Sequence, residues 1–91
     1  MATLRRTVRV QHKFGIHARP AAKIVSLCGG FACDVQIVKK GEPEANGKNI
    51  LDIMMLAAAK GDELEIRAKG ADAETALDQL ATMIESDFDI D

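Results

Sequence analysis

An α+β fold, βαββαβα in order, is what this chain predicts, with a four-stranded sheet covered on one face by three helices. Three observations point there. The strand-like stretches alternate apolar and polar residues, so each has one dry side and one wet side. Between them lie stretches whose apolar residues recur at helical spacing and stop at glycine. A length of 91 residues, 47% of them hydrophobic, supports one small core and one domain spanning residues 1–91.

From Leu4 to Gln11, Val8 and Val10 alternate with Thr7, Arg9 and Gln11, which reads as the first strand. His12 to Gly15 follows as a loop, and His12 has no setting that marks it as more than a loop residue. A helix opens at His17 or Ala18, tolerates Pro20 in its first turn, buries Ala21, Ile24, Val25 and Cys28, and ends at Gly29-Gly30. Ala32 to Lys39 alternates again, Lys40-Gly41 turns, and Glu42 to Asn46 returns as a short edge strand that contains Pro43; the two read as a hairpin. Asn49 caps a second helix running to about Ala58, which Lys60-Gly61-Asp62 terminates. Glu63 to Lys69 is a strand with Leu64, Ile66 and Ala68 inward. Asp72 is expected to cap a last helix with Ala76, Leu77, Leu80, Met83 and Ile84 as its buried stripe. Asp87 to Asp91 reads as a loose acidic tail in which Phe88 packs.

Several function classes are disfavoured by composition. Three Phe with no Tyr or Trp argue against a base-stacking nucleic-acid surface, and the acidic balance argues against nucleic acid generally. No apolar run approaches the roughly 20 residues of a membrane span, and the N-terminus lacks the apolar segment of a secretory signal, so a cytoplasmic protein is expected. Cys28 and Cys33 form neither a CxxC motif nor a disulfide framework and read as buried free thiols. His12 and His17 do not have the spacing of a metal pair on one helix, so no metal is expected.

Charge is distributed unevenly. Residues 1–33 carry six basic side chains (Arg5, Arg6, Arg9, Lys13, Arg19, Lys23) and no carboxylate, leaving six basic against fourteen acidic residues in the rest. Within that positive segment, Phe14-Gly15-Ile16-His17-Ala18-Arg19-Pro20 brings a histidine to the start of a helix. Unpaired amides and the positive end of the helix dipole make such a start an anion site, and phosphate is the natural ligand. The same dipole favours a neutral, nucleophilic imidazole at His17, and Arg19 adds a guanidinium suited to phosphate oxygens. The chemistry this suggests is a histidine that carries a phosphoryl group.

The second helix is the other informative stretch. Ile50-Leu51-Asp52-Ile53-Met54-Met55-Leu56 is apolar almost all round. Ile50, Ile53, Met54 and Ala57 form one candidate core face and Leu51 and Met55 another, and spacing alone allows the two to exchange roles. Full burial of so short a helix is hard in a chain this small, so an adaptable Met/Leu docking surface is favoured.

Gly-Ile-His-Ala-Arg-Pro-Ala-Ala at 15–22, with Lys48-Asn49-Ile50-Leu51 and Lys60-Gly61-Asp62, resembles the HPr family across essentially the whole chain. These are the histidine-containing phosphocarriers of the bacterial phosphoenolpyruvate-dependent phosphotransferase system. The resemblance implies an open-faced β-sandwich whose four strands are antiparallel. It implies that His17 accepts phosphate on Nδ1 from enzyme I and passes it to an EIIA-type domain, with Arg19 and the Ala18 and Arg19 amides binding the phosphate. Ile16, Pro20, Lys23, Ile50, Leu51, Met54 and Met55 fall at partner-docking positions. The implied protein is a monomeric stoichiometric carrier, not an enzyme on its own, and needs no cofactor. Asn49 departs from the pattern: many family members have a regulatory serine there, and asparagine keeps the capping role while excluding phosphorylation. The acidic ending with Phe88 resembles the nitrogen-related branch, which gives the alternative of a regulatory binding module controlling partner proteins through its phosphorylation state.

Overall fold

Strand β1 (Leu4–Arg9) does not pair with its neighbour in sequence but with β4 (Glu63–Lys69), in a computed structural model that describes residues 2–86 and 88. β4 pairs on its other side with β2 (Asp34–Lys39), and β2 with β3 (Ala45–Asn46), giving a four-stranded sheet of order β1-β4-β2-β3 in which every pairing is antiparallel. Helices α1 (Ala18–Gly29), α2 (Ile50–Met55) and α3 (Ala73–Glu85) share one face of this sheet. α3 lies over β1 and β4, α2 over β3, and α1 packs against both other helices. The expected α+β architecture, an open-faced sandwich with three helices on one side, is the one observed.

Alternation decides which face is dry. Val8, Val35, Ile37, Leu64, Ile66 and Ala68 point from the strands into a core completed by Ala21, Ile24 and Cys28 of α1, Ile53 of α2, and Ala76, Leu77, Leu80 and Ile84 of α3. On the open face Arg67 pairs with Glu65, two residues before it on β4, and approaches Glu44 at 3.7 Å, while Arg9 pairs at 3.2 Å with Glu63, its partner in the cross-strand register. Cys28 and Cys33 are both free and buried. Val25 and Met83, expected in the buried stripes, are only partly covered and rim the core.

Several boundaries differ from those read off the sequence, each for a long-range reason. β1 stops at Arg9 instead of Gln11 because Val10 exchanges backbone hydrogen bonds with the Gly61-Asp62 turn, at 2.9 Å each way. β2 starts at Asp34 instead of Ala32 because the Ala32 and Cys33 amides donate to the Asp72 carboxylate, at 2.8 Å each. Asp72 occupies the N-cap position of α3, but its side chain, committed to those amides, makes no cap bond. β3 keeps only Ala45 and Asn46 of the expected 42–46, since Glu42 closes a turn onto Lys39 and Pro43 has no amide to offer the ladder. α2 ends at Met55, short of Ala58: Lys39 Nζ takes the Leu56 and Ala57 carbonyls at 3.2 and 3.1 Å, and Ala57 turns left-handed (φ 49°). Phe88 is buried in the core as expected, whereas Asp87, Asp89, Ile90 and Asp91 of the expected acidic tail lie outside the described residues.

Candidate functional site

The loop of residues 12–17 is built around Gly15. Its φ of +69° is one that only glycine adopts at little cost, and its amide donates to the His12 carbonyl at 2.8 Å. A Cβ there would also stand 2.2 Å from the Ala58 carbonyl oxygen. The next amide, Ile16, donates to that same carbonyl at 2.8 Å, so the loop is fastened to the segment that follows α2. This close approach of two backbones fixes where the chain enters α1.

His17 is the N-cap of α1, with extended backbone (φ −96°, ψ −163°) and no side-chain cap hydrogen bond. Its carbonyl accepts from Ala21 at 3.0 Å, the first bond of the helix. The Ala18 and Arg19 amides have no partner among the described residues, and Pro20, having no N–H, leaves these two as the donors of the first turn. The Arg19 side chain is exposed and makes no hydrogen bond or ion pair among the described residues. Two amides without a partner among the described residues and the positive end of the helix dipole therefore meet where the histidine stands, with the exposed Arg19 two positions on.

The imidazole is oriented by its neighbours. His17 is half-buried, and its Nε2 is buried with no hydrogen-bond partner among the described residues, so Nδ1 is the ring nitrogen open to an incoming group. The ring belongs to an aromatic cluster: its centroid lies 5.1 Å from that of His12 and 6.3 Å from that of Phe14. Phe14 is 69% exposed and carries Lys13 Nζ 5.1 Å above its ring.

His12 lies in the loop as expected, but it is fully buried there, which the sequence reading does not anticipate, and its Nδ1 accepts from the Phe14 amide at 3.2 Å. The missed signal is parity: Val8, Val10 and His12 continue one inward-facing alternation past the end of the strand.

The docking positions divide in two. Leu51, Met54 and Met55 are exposed at 68%, 41% and 78%, with Ile50 at 37%, and form an apolar surface on α2. Lys23 is also exposed. Ile16 and Pro20 are buried and pack inward, so neither offers side-chain surface to a partner; their positions on the entry turn of α1 place them in the core. The expected core face of α2 is likewise replaced: Ile53 and, just past the helix, Leu56 and Ala58 are buried, whereas Ile50, Met54 and Ala57 are not. Asn49 caps α2 as expected, its Oδ1 accepting from Leu51 at 3.0 Å and Asp52 at 3.2 Å.

Among the described residues no group of three or more His, Cys, Asp or Glu could hold a metal, and no helix is long and apolar enough to cross a membrane.

Comparison with known proteins agrees with this geometry. A family model described as "PTS HPr component phosphorylation site" matches residues 4–86. The chain is 38% identical over 82 residues to the phosphocarrier protein HPr of Pseudomonas aeruginosa, covering 90% of this chain and 91% of that protein. It is 36% identical over 89 residues to the phosphocarrier protein NPr of Escherichia coli K12, covering 98% and 99%. Among solved structures, HPr-C-His from Thermoanaerobacter tengcongensis superposes with a TM-score of 0.90 at 33% identity, over 97% of this chain and 98% of that one.

Proposed function

The chain belongs to the HPr family and is a phosphoryl carrier of the phosphotransferase system, and on that premise we propose that His17 accepts the phosphoryl group on Nδ1. The observation that carries this reading is the ring's orientation: Nε2 is buried and Nδ1 is open, at a helix start with two free amides. For Nδ1 to attack with its lone pair, the ring's one proton sits on Nε2. The donor's nitrogen–phosphorus bond breaks as the Nδ1–phosphorus bond forms in line with it, and the three equatorial oxygens face the Ala18 and Arg19 amides and the Arg19 guanidinium. Transfer to the acceptor repeats the exchange in the other direction. The dipole contributes only about 0.3–1 kcal/mol, which suits a group that must leave as readily as it arrives.

The donor in this reading is enzyme I and the acceptor an EIIA-type domain, both docking on the exposed Leu51, Met54 and Met55 surface, with the exposed Lys23 of α1 as a further contact. The chain acts as a single domain, as a monomer in the cytoplasm, and stoichiometrically. Incubation with enzyme I and phosphoenolpyruvate is expected to give an acid-labile adduct that His17→Ala abolishes. A wild-type protein that stays unlabelled, or a His17→Ala protein labelled equally well, overturns the assignment. The regulatory alternative uses the same surface and is separated by titrating phosphorylated and free protein against a candidate regulator. Equal binding of the two forms excludes control through phosphorylation state.

A further inference from the structure

We propose that His12 is a positioning residue for the carrier histidine: its buried ring holds the His17 imidazole with Nε2 covered and Nδ1 presented. The inference deepens the assignment of His17 as acceptor and rests on it. His12 is the one buried polar residue in the core of the described residues, at a place where the preceding inward positions are Val8 and Val10. Filling space there would be served by another aliphatic side chain, whereas burying an imidazole carries a desolvation cost that its hydrogen bonds must offset. His12 acts on the site loop through its ring and through its backbone. Its Nδ1 accepts the Phe14 amide at 3.2 Å while its own carbonyl accepts the Gly15 amide at 2.8 Å, so one residue organises the turn that leads to His17. Its ring lies 5.1 Å from the His17 ring at an interplanar angle of 59°, a tilted contact within the range of packed aromatic pairs.

The His17 ring has no side-chain cap bond, and its Nε2 has no hydrogen-bond partner among the described residues. Hydrogen bonding to the ring therefore does not select its orientation, and packing does. His12, itself immobilised by full burial, is the rigid part of that packing, because Phe14, the third ring of the cluster, is 69% exposed. His12 thus acts through His17 and does not touch the phosphoryl group.

The test uses the whole protein, with phosphoramidate as a small donor that brings no docking contacts of its own. The phosphorus–nitrogen bond of the reagent breaks, ammonia leaves, and a bond forms to whichever imidazole nitrogen is presented. Nitrogen-15 NMR of the histidine ring distinguishes the Nδ1 adduct from the Nε2 adduct. Wild-type protein is expected to give the Nδ1 adduct alone. His12→Asn, whose amide oxygen can still accept the Phe14 amide but which has no ring, is expected to give both adducts. Its rate at Nδ1 should be lower by roughly 2- to 10-fold, the range that freeing a held rotamer spans. His12→Phe, which restores a ring, is expected to restore the single adduct. A His12→Asn protein that gives the wild-type adduct at the wild-type rate overturns the proposal. So does the absence of nuclear Overhauser contacts between the two histidine rings in the unaltered protein. Wild-type protein that takes no phosphoryl group at His17 overturns instead the assignment of the acceptor, and this inference with it.

Discussion

Gly15 is the residue whose replacement the geometry penalises most plainly. Its φ of +69° and the 2.2 Å approach of a would-be Cβ to the Ala58 carbonyl act together, so Gly15→Ala must both strain the backbone and part the loop from the segment after α2. Gly15→Ala is expected to lower stability in urea titrations by about 1–3 kcal/mol and to slow phosphorylation as well, since the displaced loop carries His17. Arg19 presents the opposite case. With no hydrogen bond or ion pair among the described residues, its removal leaves nothing unsatisfied. Arg19→Ala should therefore leave the melting temperature unchanged and reduce the rate of phosphoryl transfer from enzyme I by roughly 10- to 100-fold, as loss of a positioned charge donor does. A fall in melting temperature with transfer unchanged would reverse the roles given to these two residues. Both roles could be anticipated from the sequence, because they depend on a residue's own backbone preference or its own charge. That of His12 is only half legible: its parity with Val8 and Val10 marks it as inward-facing, but which ring it packs against depends on what folds over it.

At the scale of elements, α2 separates packing from docking within a few residues. Ile53 is fully buried, and Ile53→Ala should cost about 2–4 kcal/mol in equilibrium unfolding. Met54, next to it and 41% exposed, should tolerate Asp with little change in stability while binding to enzyme I weakens; unfolding of Met54→Asp would show that the side chain belongs to the core. The helix is short because its ends are held by different means. Asn49 satisfies two amides at its start, and Asn49→Ala should lose about 1 kcal/mol by the same unfolding assay. At its end Lys39, a residue of β2, takes the last carbonyls, which no pattern within the helix announces. Asp72 teaches the same lesson at α3: local sequence marks an N-cap, yet its carboxylate serves two amides about 40 residues away at the start of β2.

For the molecule as a whole, the titrating groups predict how stability depends on pH. Burial pushes the Cys28 thiol from its ordinary 9.0 up to about 11, and Cys33 likewise to about 11. The folded protein therefore keeps protons that the unfolded chain releases, and stability should fall as pH rises between about 9 and 11. In acid, the Ala59 amide holds Asp62 below its ordinary range, Arg67 does the same for Glu65, and the Ala32 amide for Asp72. The stability these carboxylates contribute is present above their ordinary values near 4 and is lost as pH falls through the lowered ones. Urea midpoints measured across pH should trace a plateau with both flanks, and Cys28→Ala with Cys33→Ala should flatten the alkaline one. An unchanged alkaline flank would mean that other groups set it. The sequence by itself determined the order of elements, the dry and wet faces of the strands, the glycine entry to α1 and the His17–Arg19 helix start. Each of these follows from residue spacing or from a single residue's backbone preference, and such preferences act over a few residues. Only the tertiary structure decided that β1 lies against β4, that Ile16 and Pro20 turn inward while Leu51, Met54 and Met55 stay out, and that His12 is buried beside His17. Those outcomes depend on which distant surfaces meet, as the Ile16–Ala58 hydrogen bond across 42 positions shows, and a local pattern does not record its distant partner.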